Sequence, residues 1–588
     1  MAAVDAVLGE TSASTSMREA KARRHLLLPA LEAAQLRVGW VSPGALGYIC
    51  RRLHIPPAEG YGVASFYALI ATTPRPKTVV HVCDDIACKT RGADALVGEV
   101  TQRFGPAGEE QTQDMTWLRS PCLGLCEQAP AAMVVHAGAT PVEHAWGHAT
   151  IDSVTEAFYV GPLPATPPIV LPQAGAPELR LLRRVGRADP ESLDEYRAHG
   201  GYVALRRALE EGPAWTLREI TEAKLVGRGG AAFPTGRKWD AVARATSQPR
   251  YVVCNADESE PGTFKDRVLM EEDPYAVVEA MTVCGVTVGA ERGYLYIRGE
   301  YPLAHGRLAR AIDTARRRGL LGDDVMGRGV RFDIEIRRGA GAYICGEETA
   351  LFNSIEGFRG EPRNKPPFPV ESGLFGKPTC INNVETLVST LEILTGGAAA
   401  WAALGTPGST GSKLFCVSGQ VRRPGVYEVP LGTRLDALLA LAGGALEGHR
   451  VQAVLLGGAA GSFVTPEELS VPLTFEDTRK IGATLGSGVV LVFDETTELW
   501  PVLARVASFF RDELCGQCVP CRVGTVRQEE LVARLAAGRP LGSLSDEKLL
   551  LKELGQAMRD ASICGLGQTA SSAIESALHK LTMAPEAR

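Results

Sequence analysis

The sequence predicts a multidomain α/β protein that ends in a helical region. Its 588 residues exceed the length at which one hydrophobic core stops growing and a chain divides into domains. Patterns typical of strands alternate with patterns typical of helices up to about residue 500, and 501–588 is mostly helical in periodicity. Cysteines stand in two separate sets of four, one towards each end of the chain.

Composition and charge exclude two classes of partner. The formal net charge is −6, which gives no general attraction for nucleic acid or for an anionic membrane surface. No apolar run approaches the roughly 18 residues that a membrane-spanning helix needs. Arg23-Arg24 precedes a short apolar run, as in an export signal, but Pro29 and Glu32 interrupt that run. We therefore expect a cytoplasmic protein without membrane insertion.

The first two regions differ in pattern. Residues 1–15 are small and polar, which predicts a mobile tail, and 18–69 has helical periodicity, so 1–75 is an N-terminal tail and helical region. Beyond it, 78–83 and 132–136 are typical of strands, and 92–104 is typical of a helix. These elements surround the first cysteine set and predict a small α/β domain over 76–160.

The rest of the chain divides into a linker and three further regions. Six prolines fall within 161–177, and because proline removes backbone donors and favours extended backbone, this segment is predicted to be a surface linker. A large α/β region follows over 178–405. Within 406–500, the order strand, turn, strand, helix over 412–444 indicates a compact β-grasp-like module. The helical region is 501–588.

Both cysteine sets have the spacing of metal ligands. Cys515, Cys518 and Cys521 stand at C-x2-C-x2-C spacing, and Cys564 supplies a fourth thiolate from a separate element. Four thiolates hold either an iron–sulfur cluster or zinc, so this spacing alone leaves both open. A second complete set upstream favours electron transfer over structural stapling. The eight predicted ligands are Cys83, Cys88, Cys122, Cys126, Cys515, Cys518, Cys521 and Cys564.

A glycine-rich segment at 227–232 formally matches G-x-G-x-x-A. The context differs from a dinucleotide-binding fingerprint, because the preceding residues, 216–225, have a helical rather than a strand pattern. The backbone N–H groups of such a loop can still bind a phosphate, with Arg228 and Lys238 adding positive charge. A plain glycine loop is the alternative.

A polar cluster follows a predicted strand that starts at residue 251. It contains Asn255, Asp257, Glu258 and Glu260. Carboxylates at the carboxyl end of a strand are usual at α/β ligand sites, where they bind sugar or ribityl hydroxyls. A solvated acidic turn is the alternative. Two further polar segments lie at 339–348 and 364–369, and Asn382-Asn383 precedes a predicted helix start.

Together and in order, these segments resemble the NADH-binding flavoprotein subunit of respiratory complex I and its relatives. The similarity is carried by 227–239, 255–267, 341–351, 365–369, 381–386, 515–524 and 563–567. Residues 20–160 are similar to the small thioredoxin-like [2Fe-2S] subunit of the same machinery, through 55–67 and the C-x4-C and C-x3-C pairs. In this chain the two subunits are fused.

The resemblance implies the fold of each region and its cofactor. It implies a thioredoxin-like [2Fe-2S] domain at 76–160, a Rossmann-like FMN- and NADH-binding domain at 178–405, an SLBB-like β-grasp domain at 406–500, and a C-terminal helical bundle that holds a [4Fe-4S] cluster at 501–588. The implied cofactors are therefore FMN, NAD(H), [4Fe-4S] and [2Fe-2S].

The resemblance also implies residue roles. The residues expected around FMN are Gly227, Arg228, Gly229, Lys238, Asn255, Asp257, Glu258, Tyr343, Gly346, Glu347, Asn382 and Asn383. Those expected to receive NADH are Phe233, Glu260, Glu348, Lys365 and Phe368. Hydride transfer between two cofactors needs no general acid or base. Glu260 and Glu348 are accordingly expected to position NADH.

The implied activity is that of an NADH:acceptor oxidoreductase (diaphorase) subunit. The expected partners are a separate catalytic metal-containing subunit and a further iron–sulfur subunit. The chain is most similar to the beta subunit of NAD-dependent molybdenum or tungsten formate dehydrogenases. The similarity lies in the fusion, the four N-terminal cysteines and the segments 515–518 and 558–568. A diaphorase subunit of an NAD-reducing nickel–iron hydrogenase and a fused complex I subunit are the alternatives. A non-catalytic iron–sulfur scaffold is a remote alternative.

Overall fold

A computed structural model describes residues 1–9, 16–109, 114–159, 163–581 and 583. Helices precede the first sheet. Their bounds are α1 (Ala2–Leu8), α2 (Met17–Ala22), α3 (Leu27–Val38), α4 (Pro43–Leu53) and α5 (Pro57–Ala64).

The first helix corrects the expectation of a mobile tail. In α1, Val4 and Leu8 are spaced by one helical turn and are buried in contact with α3. The Tyr48 hydroxyl donates to the Asp5 carboxylate at 2.6 Å. The prediction is wrong for 2–8 because this apolar pair buries against a helix that local composition does not show. Residues 10–15 lie outside the described residues.

The first sheet has the order β2-β1-β3-β4, with β1 and β2 parallel and the other pairs antiparallel. Strand β1 is buried along its whole length and ends at Cys83. The elements here are β1 (Thr78–Cys83), α6 (Ile86–Lys89), α7 (Ala93–Phe104), β2 (Met115–Ser120), β3 (Ala131–His136), β4 (Val142–Gly147) and α8 (Ile151–Phe158). The predicted strands and helix of this region are thus observed.

The second sheet is entirely parallel and has the order β7-β6-β5-β8. Buried helices cover it, as both faces of a parallel sheet require. The elements are α9 (Leu193–Ala198), α10 (Val203–Glu211), α11 (Pro213–Glu222), α12 (Thr235–Arg244), β5 (Tyr251–Ala256), α13 (Lys265–Glu272), α14 (Pro274–Val288), β6 (Arg292–Ile297), α15 (Pro302–Arg317), β7 (Asp333–Arg338), α16 (Glu348–Glu356), α17 (Pro369–Ser372), β8 (Thr379–Asn383), α18 (Val384–Gly396) and α19 (Ala398–Ala402).

The third sheet is mixed, in the order β10-β9-β13-β11-β12, with β9 and β13 parallel. Its elements are β9 (Ser412–Gly419), β10 (Gly425–Pro430), α20 (Leu435–Leu441), β11 (Val451–Leu456), β12 (Ser462–Val464), α21 (Phe475–Lys480) and β13 (Val489–Asp494). The described part of the proline-rich linker runs along the β10 edge of this sheet, where Gln173 exchanges two hydrogen bonds with the backbone of Glu428.

The C-terminal region is helical. It consists of α22 (Leu499–Glu513), α23 (Val519–Ala536), α24 (Leu544–Ala561), α25 (Gly565–Thr569) and α26 (Ser572–Lys580). Among the described helices, none is both long and apolar enough to cross a membrane.

Buried charges join the parallel sheet to the mixed sheet. The Glu385 carboxylate lies 3.0 Å from Lys265 Nζ and 3.7 Å from Lys413 Nζ, and Lys265 Nζ also donates to Asp266 at 2.7 Å. All four side chains are almost inaccessible to solvent. Charges removed from water need paired partners, so these residues hold α13, α18 and β9 in one arrangement.

We expect Glu385→Gln to lower the free energy of unfolding by about 3 kcal/mol, because it leaves two buried ammonium groups with less compensating charge. Chemical denaturation measures the change. Asp436→Asn is the matched control, since it neutralises one side of the exposed Arg434–Asp436 pair and should change stability little. Equal effects of the two substitutions would contradict a structural role for the buried pair.

Candidate functional site

A pocket opens at the carboxyl end of the parallel sheet. Strand β5 lies between β6 and β8, so the chain leaves β5 towards one side of the sheet and later returns on the other. Ligands of open α/β sheets bind at such a switch point, outside the carboxyl ends of the strands. The pocket has a volume of about 410 Å³, which is in the range of small-molecule sites.

The residues predicted from the sequence meet in this pocket from four segments. The end of β5 and the loop after it supply four of them, and the segment before α16 supplies Tyr343, Gly346 and Glu347. The end of β8 supplies Asn383, and the glycine-rich loop supplies Gly229. The predicted residues that line the pocket are Gly229, Asn255, Asp257, Glu258, Glu260, Tyr343, Gly346, Glu347 and Asn383.

Two walls of the pocket were not predicted from the sequence. One comes from loops of the mixed sheet and one from α25, both far along the chain from the predicted glycine and acidic segments. They contribute Gly457, Ala460, Thr484, Gly486, Ser487, Gly565, Leu566 and Thr569, and the parallel-sheet region adds Gly230, Ala231, Ser259, Thr263, Lys265, Asp266 and Ile344. The glycine-rich segments 457–461 and 486–488 are the sequence signal that could have indicated these loops.

The Glu260 carboxylate is held by the mixed-sheet loop. It accepts a hydrogen bond from Ala460 N–H at 2.9 Å and another from the Tyr343 hydroxyl at 3.1 Å, and the Ala459 N–H also faces it. Burial raises the pKa of Glu260 to about 7, against these hydrogen bonds, which favour the charged form. Its protonation state therefore changes near neutral pH.

The neighbouring carboxylates have different partners. Glu258 accepts the backbone N–H groups of Asp266 and Arg267, each at 2.9 Å, and so caps the start of α13. Asp257 is different, because its Oδ2 is buried without a hydrogen-bond partner among the described residues. Burial raises the pKa of Asp257 well above its usual value. The buried oxygen without a protein partner is the feature that suits a ligand group.

The unpaired atoms of the pocket fit a flavin mononucleotide. Asn383 Oδ1 and Ser487 Oγ, like Asp257 Oδ2, have no partner among the described residues. A carboxylate and an amide oxygen accept from ribityl hydroxyls or a flavin N–H, and a hydroxyl beside the backbone of 229–231 suits a phosphate. The donor and acceptor set therefore fits FMN, the group that the family resemblance implied.

Apart from Glu260, the residues predicted to receive NADH are not among those that line the pocket. Lys365 Nζ donates to Glu347 at 2.9 Å and to Glu348 at 2.7 Å. Phe233 and Phe368 are about half exposed, and Lys238 Nζ lies 5.7 Å from the centre of the Phe233 ring. Two exposed aromatic rings near charged groups are able to stack on the bases of a dinucleotide.

Four residues predicted around FMN are not among those that line the pocket, namely Gly227, Arg228, Lys238 and Asn382. Lys238 Nζ donates to Ile381 O at 2.9 Å. Gly227 lies before the lining part of its loop and donates its N–H to Phe233 O. The Arg228 guanidinium donates to Thr410 O at 2.8 Å, and burial lowers its pKa to about 10. Asn382 Oδ1 accepts from Trp239 Nε1 at 2.9 Å. In this structure Arg228 and Asn382 thus support the loop and the strand end rather than face the cavity.

The N-terminal cysteine set is buried at the end of β1. Cys122 Sγ and Cys126 Sγ are 3.3 Å apart, and all four cysteines are buried. Asp85 orders the loops by accepting Ile86 N–H at 2.8 Å and Cys122 N–H at 3.0 Å.

The C-terminal set lies at helix ends. Cys515 follows α22, Cys518 precedes α23, Cys521 is in its first turn, and Cys564 precedes α25. The N–H groups of Leu566 and Gly567 face the Cys564 sulfur, and such hydrogen bonds stabilise a thiolate ligand. Because Leu566 also lines the pocket, one segment forms both sites.

Family models match four parts of the chain. The "Nuo51 FMN-binding domain" matches 220–392, and the "Thioredoxin-like [2Fe-2S] ferredoxin" matches 13–154. The "NADH-ubiquinone oxidoreductase-F iron-sulfur binding region" matches 501–588, and the "SLBB domain" matches 414–460. They confirm the predicted multidomain fold with FMN, NADH, [2Fe-2S] and [4Fe-4S] as its cofactors.

Relatives agree with these matches. The second F-type subunit of NADH-quinone oxidoreductase from Rhizobium meliloti (strain 1021) is 45% identical over 401 residues, which cover 68% of this chain and 94% of the relative. The HndC subunit of the NADP-reducing hydrogenase from Solidesulfovibrio fructosivorans is 43% identical over a region that covers 66% of this chain and 78% of HndC. A crystal structure of NAD⁺-reducing [NiFe]-hydrogenase in the air-oxidized state superposes with a TM-score of 0.80 at 34% identity, covering 96% of this chain and 93% of that one. The chain belongs to the family of NADH-dehydrogenase (diaphorase) subunits that includes the F-type subunits of NADH-quinone oxidoreductase, and it is an oxidoreductase component.

We expect Gly458→Ala to raise KM for NADH by about 10-fold or more, because the new methyl group displaces the carboxylate that the loop holds. A Cβ at Gly458 would lie 2.6 Å from Glu260 Oε1. Steady-state NADH oxidation with an artificial acceptor measures the effect.

The control for this substitution is Gly448→Ala. Gly448 has a φ of +80°, against +83° at Gly458, but no atom lies within 4 Å of its Cβ position. Both variants carry the same backbone strain, so an equal rise in KM would show that strain, and not Glu260, is responsible.

The assignment of cluster ligands predicts metal content. Cys564→Ala should lower iron from about six to about two atoms per chain and remove the EPR signal of one cluster only. Cys50→Ala, at a buried cysteine outside both sets, should keep all the iron. Zinc in place of iron in the anaerobically purified wild type would contradict the assignment.

Proposed function

We propose that this protein moves electrons between NAD(H), FMN and two iron–sulfur clusters, as the diaphorase subunit of a larger enzyme. The observation that carries the proposal is the shared wall between the pocket and the cysteine sets. Gly565 and Leu566, directly after Cys564, line the pocket, and Arg298 joins the loop of Cys122 to the backbone of Glu258. A cofactor in this pocket would lie between the two ligand sets.

FMN supplies the central chemistry when it is bound, because it accepts two electrons together as a hydride and releases them singly. The protein's part is positioning. Asp257 and Asn383 would bind the flavin through their unpaired oxygens, and the loop 229–231 would receive its phosphate. Glu260 and Glu348 would orient NADH, with Phe233 and Phe368 against its bases. We also propose the domain bounds predicted from the sequence, and the eight predicted cysteines as the ligands of the two clusters.

For the partner, the first candidate is a molybdenum or tungsten formate dehydrogenase. The support is the fused N-terminal domain with all four cysteines and the similarity of 515–518 and 558–568 to that beta subunit. No metal-dithiolene or nickel site is apparent in the sequence itself, so the terminal substrate would be converted on another subunit, in the cytoplasm.

A nickel–iron hydrogenase is the second candidate. The observation that favours it is the similarity to the NAD⁺-reducing [NiFe]-hydrogenase chain over nearly the full length of both. Mass spectrometry of the proteins that co-purify with the natively expressed chain distinguishes the two candidates. A molybdopterin-type subunit supports the first and nickel–iron subunits support the second. NADH that fails to bleach the flavin of the purified chain would contradict the diaphorase proposal itself.

The raised pKa of Glu260 predicts a pH dependence. Only the deprotonated carboxylate accepts strongly from sugar hydroxyls, so kcat/KM for NADH should rise between about pH 6 and about pH 8. Glu260→Gln should remove this inflection, because the amide does not titrate.

Glu513 is the necessary control, since burial also raises its pKa to about 7 and it accepts Tyr343 N–H at 2.7 Å beside the pocket. Glu513→Gln should keep the inflection. If the inflection disappears in Glu513→Gln and persists in Glu260→Gln, the titrating group is Glu513 and the role given to Glu260 is wrong.

A further inference from the structure

The loop that carries Cys122 and Cys126 packs directly against the parallel-sheet region. The N–H of Gly262 faces the Cys122 sulfur, and Arg267 Nε donates to Gly124 O at 2.8 Å. A Cβ at Gly124, whose φ is +69°, would overlap the Tyr301 hydroxyl. The ligand loop is therefore fixed by another domain as well as by its own.

Arg298 is the central residue of this contact. It follows β6 directly, is 2% exposed and uses three donor atoms. Nη2 donates to Cys122 O at 2.6 Å, and Nη1 donates to Glu258 O at 2.7 Å. Nε and Nη2 also form a bidentate pair with Glu300, at 3.2 and 2.9 Å. A buried guanidinium held at a fixed angle by a carboxylate gives directed hydrogen bonds.

The two carbonyl groups that Arg298 contacts belong to different sites. Cys122 is a predicted ligand of the N-terminal cluster, and Glu258 lines the flavin pocket. Strands β5 and β6 are parallel neighbours, so the residues after them lie at the same edge of the sheet. One side chain thus spans the distance between a ligand loop and a pocket wall.

We propose that Arg298 is a positioning residue for electron exchange between the flavin and the N-terminal [2Fe-2S] cluster, an inference that rests on the proposed function. In this exchange one electron would pass from the reduced flavin, which is oxidised by one electron, to the oxidised cluster, which is reduced by one electron. Arg298 fixes the ligand loop against the pocket wall, and its N–H groups favour the more negative, reduced cluster through the Cys122 peptide.

Arg298→Lys tests this role, because a lysine keeps the charge but has no planar fork to reach both carbonyls. After rapid mixing of the whole protein with NADH and freezing, EPR should show the [2Fe-2S] signal appearing about 10-fold more slowly, the scale typical of outer partners of a metal site. The signal of the C-terminal cluster should appear at the wild-type rate. Redox titration with dithionite should give a more negative midpoint potential for the [2Fe-2S] cluster only.

Arg184→Lys is the matched control. Arg184 is likewise 2% exposed, and its Nε and Nη2 lie 2.8 and 2.7 Å from Asp273 Oδ2. Asp273 belongs to neither the ligand loop nor the pocket. This variant should keep the wild-type rate of [2Fe-2S] reduction and the wild-type potential.

Glu300→Gln is a second variant in case Arg298→Lys does not fold, since it keeps the Arg298 side chain and weakens the pair that orients it. It should slow reduction in the same direction. The proposal is overturned if a folded variant with full iron content keeps both the rate and the potential, or if Arg184→Lys slows reduction equally. The dithionite titration needs no NADH, so it tests Arg298 even if the diaphorase proposal fails.

Discussion

The arrangement of the pocket depends on charges that are buried together where the parallel and mixed sheets meet. Lys413 contacts Glu385 and also donates to the carbonyls of Arg228 and Ser487. Asp266 accepts from the Asn383 amide. Because none of these charges can be left unpaired away from water, the glycine loop, the end of β8 and a loop of the mixed sheet are held around one cavity. The need to pair buried charge therefore fixes the shape of the site.

Within that frame, three carboxylates of one short segment acquire different roles from their partners. Glu258 accepts backbone N–H groups at the start of α13. Glu260 accepts from the Ala460 N–H and the Tyr343 hydroxyl. Asp257 retains an oxygen without a protein partner among the described residues. Similar side chains one to three residues apart thus differ in what they can do. Backbone N–H groups decide this, since they satisfy one carboxylate and leave another for a ligand.

The domains are joined by groups that also belong to the functional sites. Arg298 and Arg267 hold the ligand loop of the N-terminal cysteine set, and Leu566 belongs both to the pocket wall and to the surroundings of Cys564. The same residues therefore hold the domains together and set the geometry of the sites. A chain in which the two clusters moved independently of the pocket would lose the short contacts on which electron transfer relies.

Elements and residues with local signals could be predicted from the sequence. They include the strand at 78–83, the strand that starts at 251, the helix start at 384, the two cysteine sets and most of the acidic and glycine segments, because periodicity and spacing are properties of neighbouring residues. Contacts between distant groups became known from the three-dimensional fold. They are the loops of Ala460 and Ser487, the inward position of Leu566, the bridge formed by Arg298, the supporting positions of Arg228 and Asn382, and the burial of helix 2–8. These depend on packing between segments that are far apart in the chain, and local pattern contains no information on such pairs.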